Sequence, residues 1–406
     1  MSSPLQNAVA RIDQLGLISD SQSHLVRTFL SPANLQAAAQ VLEWMASLGM
    51  EVSHTADGTV RGILAGSNPD APPLLLGSHI DTVIDAGKFD GALGIIVALA
   101  ALETLQQEIA TLPFPVHLLG FSDEEGTRFQ TTYLGSRGII GALDPATLST
   151  RDADGITVAA AIEDKGWYES STDIRYTKGE CRGYVEVHIE QGRVLETAGL
   201  AACVVSAIAG QSRLTATLTG RTDHAGTTPM PLRRDALAGA AECILAAETL
   251  AKTQPPLVIT VGKIQIHPGA SNSVPQRATF TIDLRHPEDI PRQQALEDLH
   301  QTYLQVAEKR SLALDWRPIQ DNPSTRCDTQ LTEQLLASLS AVTGSKQMLA
   351  SGAGHDGVIL SKICPIAMLF IRCRDGLSHH PDEYATPEDI GTSIQILTHF
   401  LKAHLD

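Results

Sequence analysis

Pro73-Leu74-Leu75-Leu76-Gly77-Ser78-His79-Ile80-Asp81-Thr82 carries no charge as far as Ser78 and then ends in a histidine and an aspartate. A short continuous apolar run of this kind predicts a strand buried on both faces. Alternate strand residues point the same way, so His79 and Asp81 share a face. Asp81 is then placed to hold one ring nitrogen of His79, leaving the other for a metal ion. Two further runs, Val116 to Phe121 and Tyr184 to His188, predict buried strands of the same type, and Gly91 to Leu105 predicts a long apolar helix. This alternation implies an α/β layer architecture with helices on both faces of a sheet. Functional groups in such sheets gather at strand ends. His79, Glu124, Glu125 and His188 all stand at or just after predicted ends.

Five segments supply metal-binding groups: Gly77–Thr82, Lys88-Phe89-Asp90-Gly91-Ala92, Ser122-Asp123-Glu124-Glu125-Gly126, Val187-His188-Ile189-Glu190-Gln191-Gly192 and Leu377-Ser378-His379-His380-Pro381. Together they offer three imidazoles, two carboxylates and a spare glutamate. That set suits a pair of divalent ions sharing one carboxylate, an arrangement that activates water for hydrolysis. Asp90 reads either as the N-cap of the apolar helix or as the shared carboxylate. Glu124 and Glu125, side by side next to a low-dielectric core, require a cation or a proton in compensation. Glu125 is assigned as ligand and Glu124 as the general base, with a solvated acidic turn as the plainer alternative. His54, His117, His267, His286, His300, His399 and His404 read as structural.

The chain has 406 residues, 43% of them hydrophobic, and a formal net charge of −16. One large or two modest domains fit that length. The acidic balance argues against nucleic acid or an anionic membrane as partner, so a small anionic substrate needs a local positive group. The longest uncharged apolar stretch, Gly91 to Leu102, is too short to cross a bilayer, and the N-terminal residues have no signal-peptide pattern. The six cysteines are scattered without a C-x-x-C pair and read as free thiols of a reducing cytoplasm.

The middle of the chain follows another pattern. Strands are predicted over Arg213–Leu218, Leu257–Ile266, Ala278–Arg285 and Leu312–Trp316, and helices over Asp235–Ala251 and Pro291–Lys309. The order βαββαβ is that of a ferredoxin-like unit. A helix over Leu331–Val342, a strand over Pro365–Ile371 and a closing helix over Pro387–His404 follow. Since His379 belongs to the metal set, the catalytic domain is expected to be discontinuous, spanning 1–210 and 323–406, with the insertion over 211–322. Within the insertion, Asp223-His224-Ala225-Gly226, Ser271-Asn272-Ser273 and Asp283-Leu284-Arg285 supply an imidazole, an amide and a guanidinium suited to an anion and a developing oxyanion. Asn272 reads equally as a turn residue and Arg285 as a solvated strand end. Ser351-Gly352-Ala353-Gly354-His355-Asp356-Gly357 lacks the Lys-Ser or Lys-Thr of a phosphate loop and is expected to offer backbone N–H groups instead.

Taken in order, these motifs resemble the amidase branch of the M20 peptidase-like superfamily, over nearly the whole chain from about Leu74. The stretches Phe121–Thr132, Tyr184–Gly192 and Met368–Arg374 are most similar to those of allantoate amidohydrolases. N-carbamoyl-L-amino-acid hydrolases and β-ureidopropionases share the metal motifs and His224-Ala225-Gly226-Thr227-Thr228-Pro229-Met230. The resemblance implies one ion on His79, Asp90 and His188 and another on Asp90, Glu125 and His379, either Mn²⁺ or Zn²⁺, two per subunit. It implies Glu124 as base, His224 on the oxyanion, and Gln191, His224, Asn272, Arg285 and Gly352 as substrate contacts, with Arg285 on a carboxylate. The expected activity is hydrolysis of a ureido group in purine catabolism, allantoate giving ureidoglycine, ammonia and carbon dioxide. The alternative is an N-carbamoyl-amino-acid or β-ureidopropionate substrate. Peptidases of the superfamily usually carry a carboxylate where His188 stands. The inserted unit resembles a lid and homodimerisation domain, with hinges near Ala209-Gly210 and Asn322-Pro323.

Overall fold

The computed structural model describes residues 3–106, 108, 111–163, 167 and 170–403; the expected end of the closing helix, with His404, lies outside them. The chain forms two compact units. The first comprises Met1–Ser206, Cys327–Leu349 and Gly354–Asp406, and the second Ala207–Arg326 with Ala350–Ala353. The short segment Ala350–Ala353, expected in the returning catalytic part, thus belongs to the second unit.

The first unit is a mixed α/β layer. Its strands are β1 (Glu51–His54), β2 (Val60–Leu64), β3 (Leu74–His79), β4 (Val116–Phe121), β5 (Gly183–Ile189), β6 (Ala202–Ile208, in this unit as far as Ser206), β13 (Met348–Ser351, in this unit as far as Leu349) and β14 (Ile366–Ile371). They pair in the order β1-β2-β4-β3-β5-β14-β6, with β13 also on β6. β3 lies parallel to β4 and β5, and β14 parallel to β5. Parallel pairing puts the carboxyl ends of these strands along one edge, which is what brings the segments after them together. His79 is opposite Phe121, and His188 opposite Phe370.

Alternation along the strands divides the groups between the two faces. Leu74, Leu76, Val185, Val187, Ile189, Ala367, Leu369 and Ile371 enter the main core. The helix Ala92–Thr104 packs there, with eleven consecutive residues buried from Ala92 to Leu102. A helix that is apolar all round is stable only in such a place. Each fully buried Leu, Ile or Val contributes roughly 1.5–3 kcal/mol relative to exposure. The helix Pro4–Gly16, not among the predicted elements, closes that layer and buries Ala8, Ile12 and Leu15. The helix Pro32–Ser47 begins as expected, with the Ser31 side chain accepting the Asn34 N–H. The opposite face of β5 carries Tyr184, Glu186 and His188, all buried.

The second unit is built on a five-stranded antiparallel sheet of β7 (Gly210–Thr219), β8 (Val258–Thr260), β9 (Ile264–His267), β10 (Arg277–His286) and β11 (Ala313–Asn322). The order is β11-β7-β10-β8, with β9 also on β10. Helices Ala236–Thr253 and Asp289–Lys309 bury Ala240, Cys243, Ala295, Leu299 and Tyr303 in its core. The strand expected over Leu257–Ile266 is two strands. Thr260 pairs with Asp283 and Ile264 with Phe280, so four steps on one side face three on the other. The extra residue breaks the ladder as a bulge does. β11 runs on past the expected Trp316 to Asn322, paired with β7 on both sides of a register shift between Pro318 and Gln320. The last residues of β6, Ala207 and Ile208, pair with β12 (Thr325–Arg326).

Candidate functional site

In the first unit, Asp90 stands between Phe89 and Gly91, where the loop enters the apolar helix. It is not the N-cap: Gly91 holds that position, and no side chain caps the helix. Gly91 has φ +67°, and a Cβ there would lie 2.4 Å from the His79 ring. The absence of a side chain at Gly91 is therefore what lets the loop bring Asp90 beside the strand-end histidines.

The Asp90 carboxylate divides its oxygens. Oδ1 lies 3.1 Å from His188 Nε2 and 3.6 Å from His79 Nε2. Oδ2 lies 3.2 Å from His379 Nε2, which is 3.3 Å from Glu125 Oε1. Ligand atoms of His79, Asp90 and His188 lie within 4.8 Å of one another, as do those of Asp90, Glu125 and His379, and those of His79, Glu124 and Glu125.

The tautomers follow from the hydrogen bonds. His79 Nδ1 faces the Asp81 carbonyl at 3.1 Å and Asp81 Oδ1 at 3.3 Å, and His188 Nδ1 faces the Ile189 carbonyl at 2.9 Å. Each Nδ1–H donates, so each Nε2 keeps a lone pair. Those two nitrogens are 3.5 Å apart, and both point at Asp90 Oδ1, a buried oxygen without a hydrogen-bond partner. Three acceptors converging with no hydrogen among them need a cation, and two imidazoles with a carboxylate form a ligand set that divalent zinc or manganese accepts. The donor set fits a metal ion on this ground alone.

Asp81 has a second task. Its Oδ1 accepts the Glu124 N–H at 2.9 Å and its Oδ2 the Glu125 N–H at 3.2 Å. One carboxylate thus fixes His79 and both glutamates. Burial, followed by the charge of Glu125, holds the Glu124 carboxyl well above its usual range. Gln191 donates from Nε2 to Asp90 Oδ2 at 2.9 Å and to Ser378 Oγ at 3.0 Å. Both Gln191 and His379 have left-handed backbones, with φ of 57° and 56°. Strained backbone of this kind gathers at functional sites.

Three buried acids around the centre escaped the sequence reading. Glu383 accepts the N–H groups of Phe89 and Asp90 on Oε1 at 2.8 and 3.0 Å, and Ser378 Oγ on Oε2 at 3.1 Å. It lies four residues after His379 with no spacing rule to mark it. Glu186 and Asp356 are fully buried. Glu186 had a signal, since it sits two residues before His188 on the same strand face.

The second unit holds the remaining expected residues. His224 Nδ1 accepts the N–H groups of Gly226 and Thr227 at 3.1 and 3.2 Å, so the ring proton sits on Nε2, exposed and ready to donate. The Asn272 carbonyl accepts the Ala225 N–H at 3.0 Å, which ties the two loops together. Arg285 is partly engaged: Nε and Nη2 donate to Asp283 at 2.8 and 3.0 Å, and Nη1 donates to the Gly352 carbonyl. Each η nitrogen keeps one further N–H. Arg213 shares the same aspartate at 3.0 Å, so two guanidiniums face one carboxylate and the cluster is net positive.

A sheet that gathers three imidazoles and a set of carboxylates at its strand ends defines a hydrolase with a site for divalent metal. Residues 75–403 match Peptidase family M20/M25/M40, and the chain belongs to that family. It is 40% identical to an allantoate deiminase of Arabidopsis thaliana, over 98% of this chain and 82% of that one. It is 36% identical to an N-carbamoyl-L-amino acid amidohydrolase of Geobacillus stearothermophilus, over 96% of each. A solved amidase of the hydantoinase/carbamoylase family from Burkholderia multivorans superposes with a TM-score of 0.91 at 28% identity, covering 98% of this chain and 97% of that one. With these relatives, the chain is a hydrolase of carbon–nitrogen bonds other than peptide bonds. No helix among the described residues is long and apolar enough to cross a membrane.

Proposed function

We propose that this chain hydrolyses a terminal ureido group, with allantoate as substrate and ureidoglycine, ammonia and carbon dioxide as products. One observation carries the reading of the centre: the Asp90 carboxylate gives one oxygen to the His79/His188 pair and the other to the Glu125/His379 pair. His79, Asp90 and His188 would hold one divalent ion, Mn²⁺ or Zn²⁺, and Asp90, Glu125 and His379 a second. Such ions supply Lewis-acid polarisation of the carbonyl and acidify water near neutral pH. The protein's own groups do the rest. Asp81 fixes the tautomer of His79 and aims Glu124 and Glu125. Glu124 takes a proton from the attacking water and hands it to the departing nitrogen, which completes breakage of the carbon–nitrogen bond. His224, with its proton on Nε2, is suited to donate to the oxyanion. The net positive Arg213–Asp283–Arg285 cluster is suited to the substrate carboxylate, with Gln191, Asn272 and Gly352 as further contacts.

Two copies are inferred to pair through the second unit, where Leu245, Val258 and Ile319 are exposed at 61%, 57% and 65%. Light scattering of the protein, with Val258→Lys as comparison, tests that pairing.

Ammonia release from allantoate and from N-carbamoyl amino acids, with added Mn²⁺ and after chelation, tests the assignment. Faster turnover of allantoate, lost on chelation and restored by metal, is expected. Preference for a carbamoyl amino acid would overturn the substrate but leave the chemistry standing. Undiminished turnover after complete metal removal would overturn both.

A further inference from the structure

Tyr133 lies beside the base and belongs to no motif used so far. Its backbone is left-handed, φ 65° and ψ 31°, a conformation unfavourable for an aromatic residue. The strain is held by a hydrogen bond of 3.1 Å from the Tyr133 N–H to the Glu124 carbonyl. A residue kept in this conformation is over-determined by its surroundings and gathers at functional sites.

Gly354 shows where the ring ends. A Cβ on Gly354 would lie 2.0 Å from the Tyr133 hydroxyl and 3.6 Å from Glu124 Oε1. The two oxygens therefore lie no further apart than those two distances together. Any side chain at Gly354 would displace the phenol, so the Gly-rich loop clears a place for it. Tyr133 is only half-buried, and its hydroxyl makes no hydrogen bond to another described residue. Burial, then the charge of Glu124, raises the phenol well above its ordinary value, so it keeps its proton.

Glu124 must reach both the attacking water and the departing nitrogen if it is to carry a proton between them. A neutral hydroxyl in the neighbourhood of its Oε1, with no hydrogen bond to another described residue, is suited to meet that same nitrogen. Resting on the function proposed above, we propose that Tyr133 Oη contacts the departing terminal nitrogen, accepting one of its N–H groups while Glu124 protonates it. No proton leaves the tyrosine. The carbon–nitrogen bond breaks with its electron pair on nitrogen, and the proton that neutralises it comes from Glu124.

The test compares wild type with Tyr133→Phe on two substrates. One is the ureide; the other is its methoxycarbonyl analogue, in which the terminal NH2 is replaced by OCH3 and the departing atom carries no N–H. Metal content by elemental analysis and thermal midpoint are measured alongside. We expect a loss of about 10-fold in kcat on the ureide, the size of one substrate hydrogen bond. KM, metal content and midpoint should change little, and wild type and variant should release methanol from the analogue at equal rates. Equal losses on both substrates would make Tyr133 a packing residue, and an unchanged kcat on the ureide would overturn the contact. A wild-type enzyme idle on every ureide would remove the proposed function and this contact with it.

Discussion

Glu383 Oε1 accepts the backbone N–H of Asp90 at 3.0 Å, so the segment after His379 holds the residue whose carboxylate faces His379. The same oxygen accepts the Phe89 N–H at 2.8 Å, and Ser378 Oγ lies 3.1 Å from the other. A Cβ on Gly87 would lie 2.3 Å from the Glu383 Cβ, so the two loops meet without spare room. The C-terminal segment thus positions the shared carboxylate twice, through His379 and through Glu383.

Glu383→Ala should therefore loosen Asp90 without touching any of the proposed metal-binding groups. Two buried N–H groups lose their acceptor, at a cost of roughly 1–3 kcal/mol each. Metal affinity should fall by about 10–100-fold, the usual effect of removing a group that orients a ligand. Competition with a chromogenic chelator measures this directly. Glu383→Gln, which keeps an acceptor oxygen, should lie between wild type and alanine, and an alanine variant with wild-type affinity would refute the positioning role.

Glu124→Gln keeps the shape of the proposed base but cannot accept a proton from water. A rate loss of about 10²–10⁴-fold is expected, with the metal content retained. Elemental analysis and steady-state rates on one preparation separate the roles of the adjacent glutamates. Loss of metal rather than of rate would exchange Glu124 and Glu125.

The substrate contact proposed for Arg285 would use the one N–H left on each η nitrogen. Arg285→Ala should lower kcat/KM for the acid by roughly 2–5 kcal/mol, the range for truncating one partner of a buried charge pair. Arg285→Lys should also lose clearly, because an ammonium cannot hold Asp283 and a second anion in the same plane. On an amide analogue the loss should be much smaller. Equal losses on acid and amide would place the arginine's work in holding Asp283 and Gly352.

His117, one of the histidines read as structural, supplies a pH effect away from the metal centre. Its Nδ1 lies 2.7 Å from Tyr176 Oη, and burial, aided by Arg61, pushes its pKa down from 6.5 to about 4. The unfolded chain takes up the proton first. Stability is therefore fully present above pH 6.5 and is lost as pH falls toward about 4. The loss should reach roughly 2–3 kcal/mol. Urea titrations across that window should show a slope that flattens in His117→Gln. An unchanged slope would mean that other groups carry the acid sensitivity.

The sequence alone marked the residues of the centre because their chemistry is written locally. A buried strand shows as an apolar run, and His79, Glu124, Glu125 and His188 follow such runs. Even the tie from Asp81 to His79 follows from strand alternation over two residues. Alternation also put Glu186 on the face of His188, a signal that was there to be read. The tertiary structure decided what depends on which strands lie side by side. Parallel pairing of β3, β4, β5 and β14 is a choice among distant segments, and no local pattern states it. Only that pairing turns Asp90 from a possible helix cap into a carboxylate divided between the His79/His188 pair and the Glu125/His379 pair. It also brings Glu383 onto Phe89 and Asp90 and sets Tyr133 beside Glu124. Gly91 and Gly354 belong with these, since each is required by a neighbour far away in the chain, the ring of His79 for one and the hydroxyl of Tyr133 for the other. Chemical type is a property of the residue and its near neighbours. Which oxygen faces which nitrogen is a property of long-range packing, and there the sequence is silent until the chain has folded.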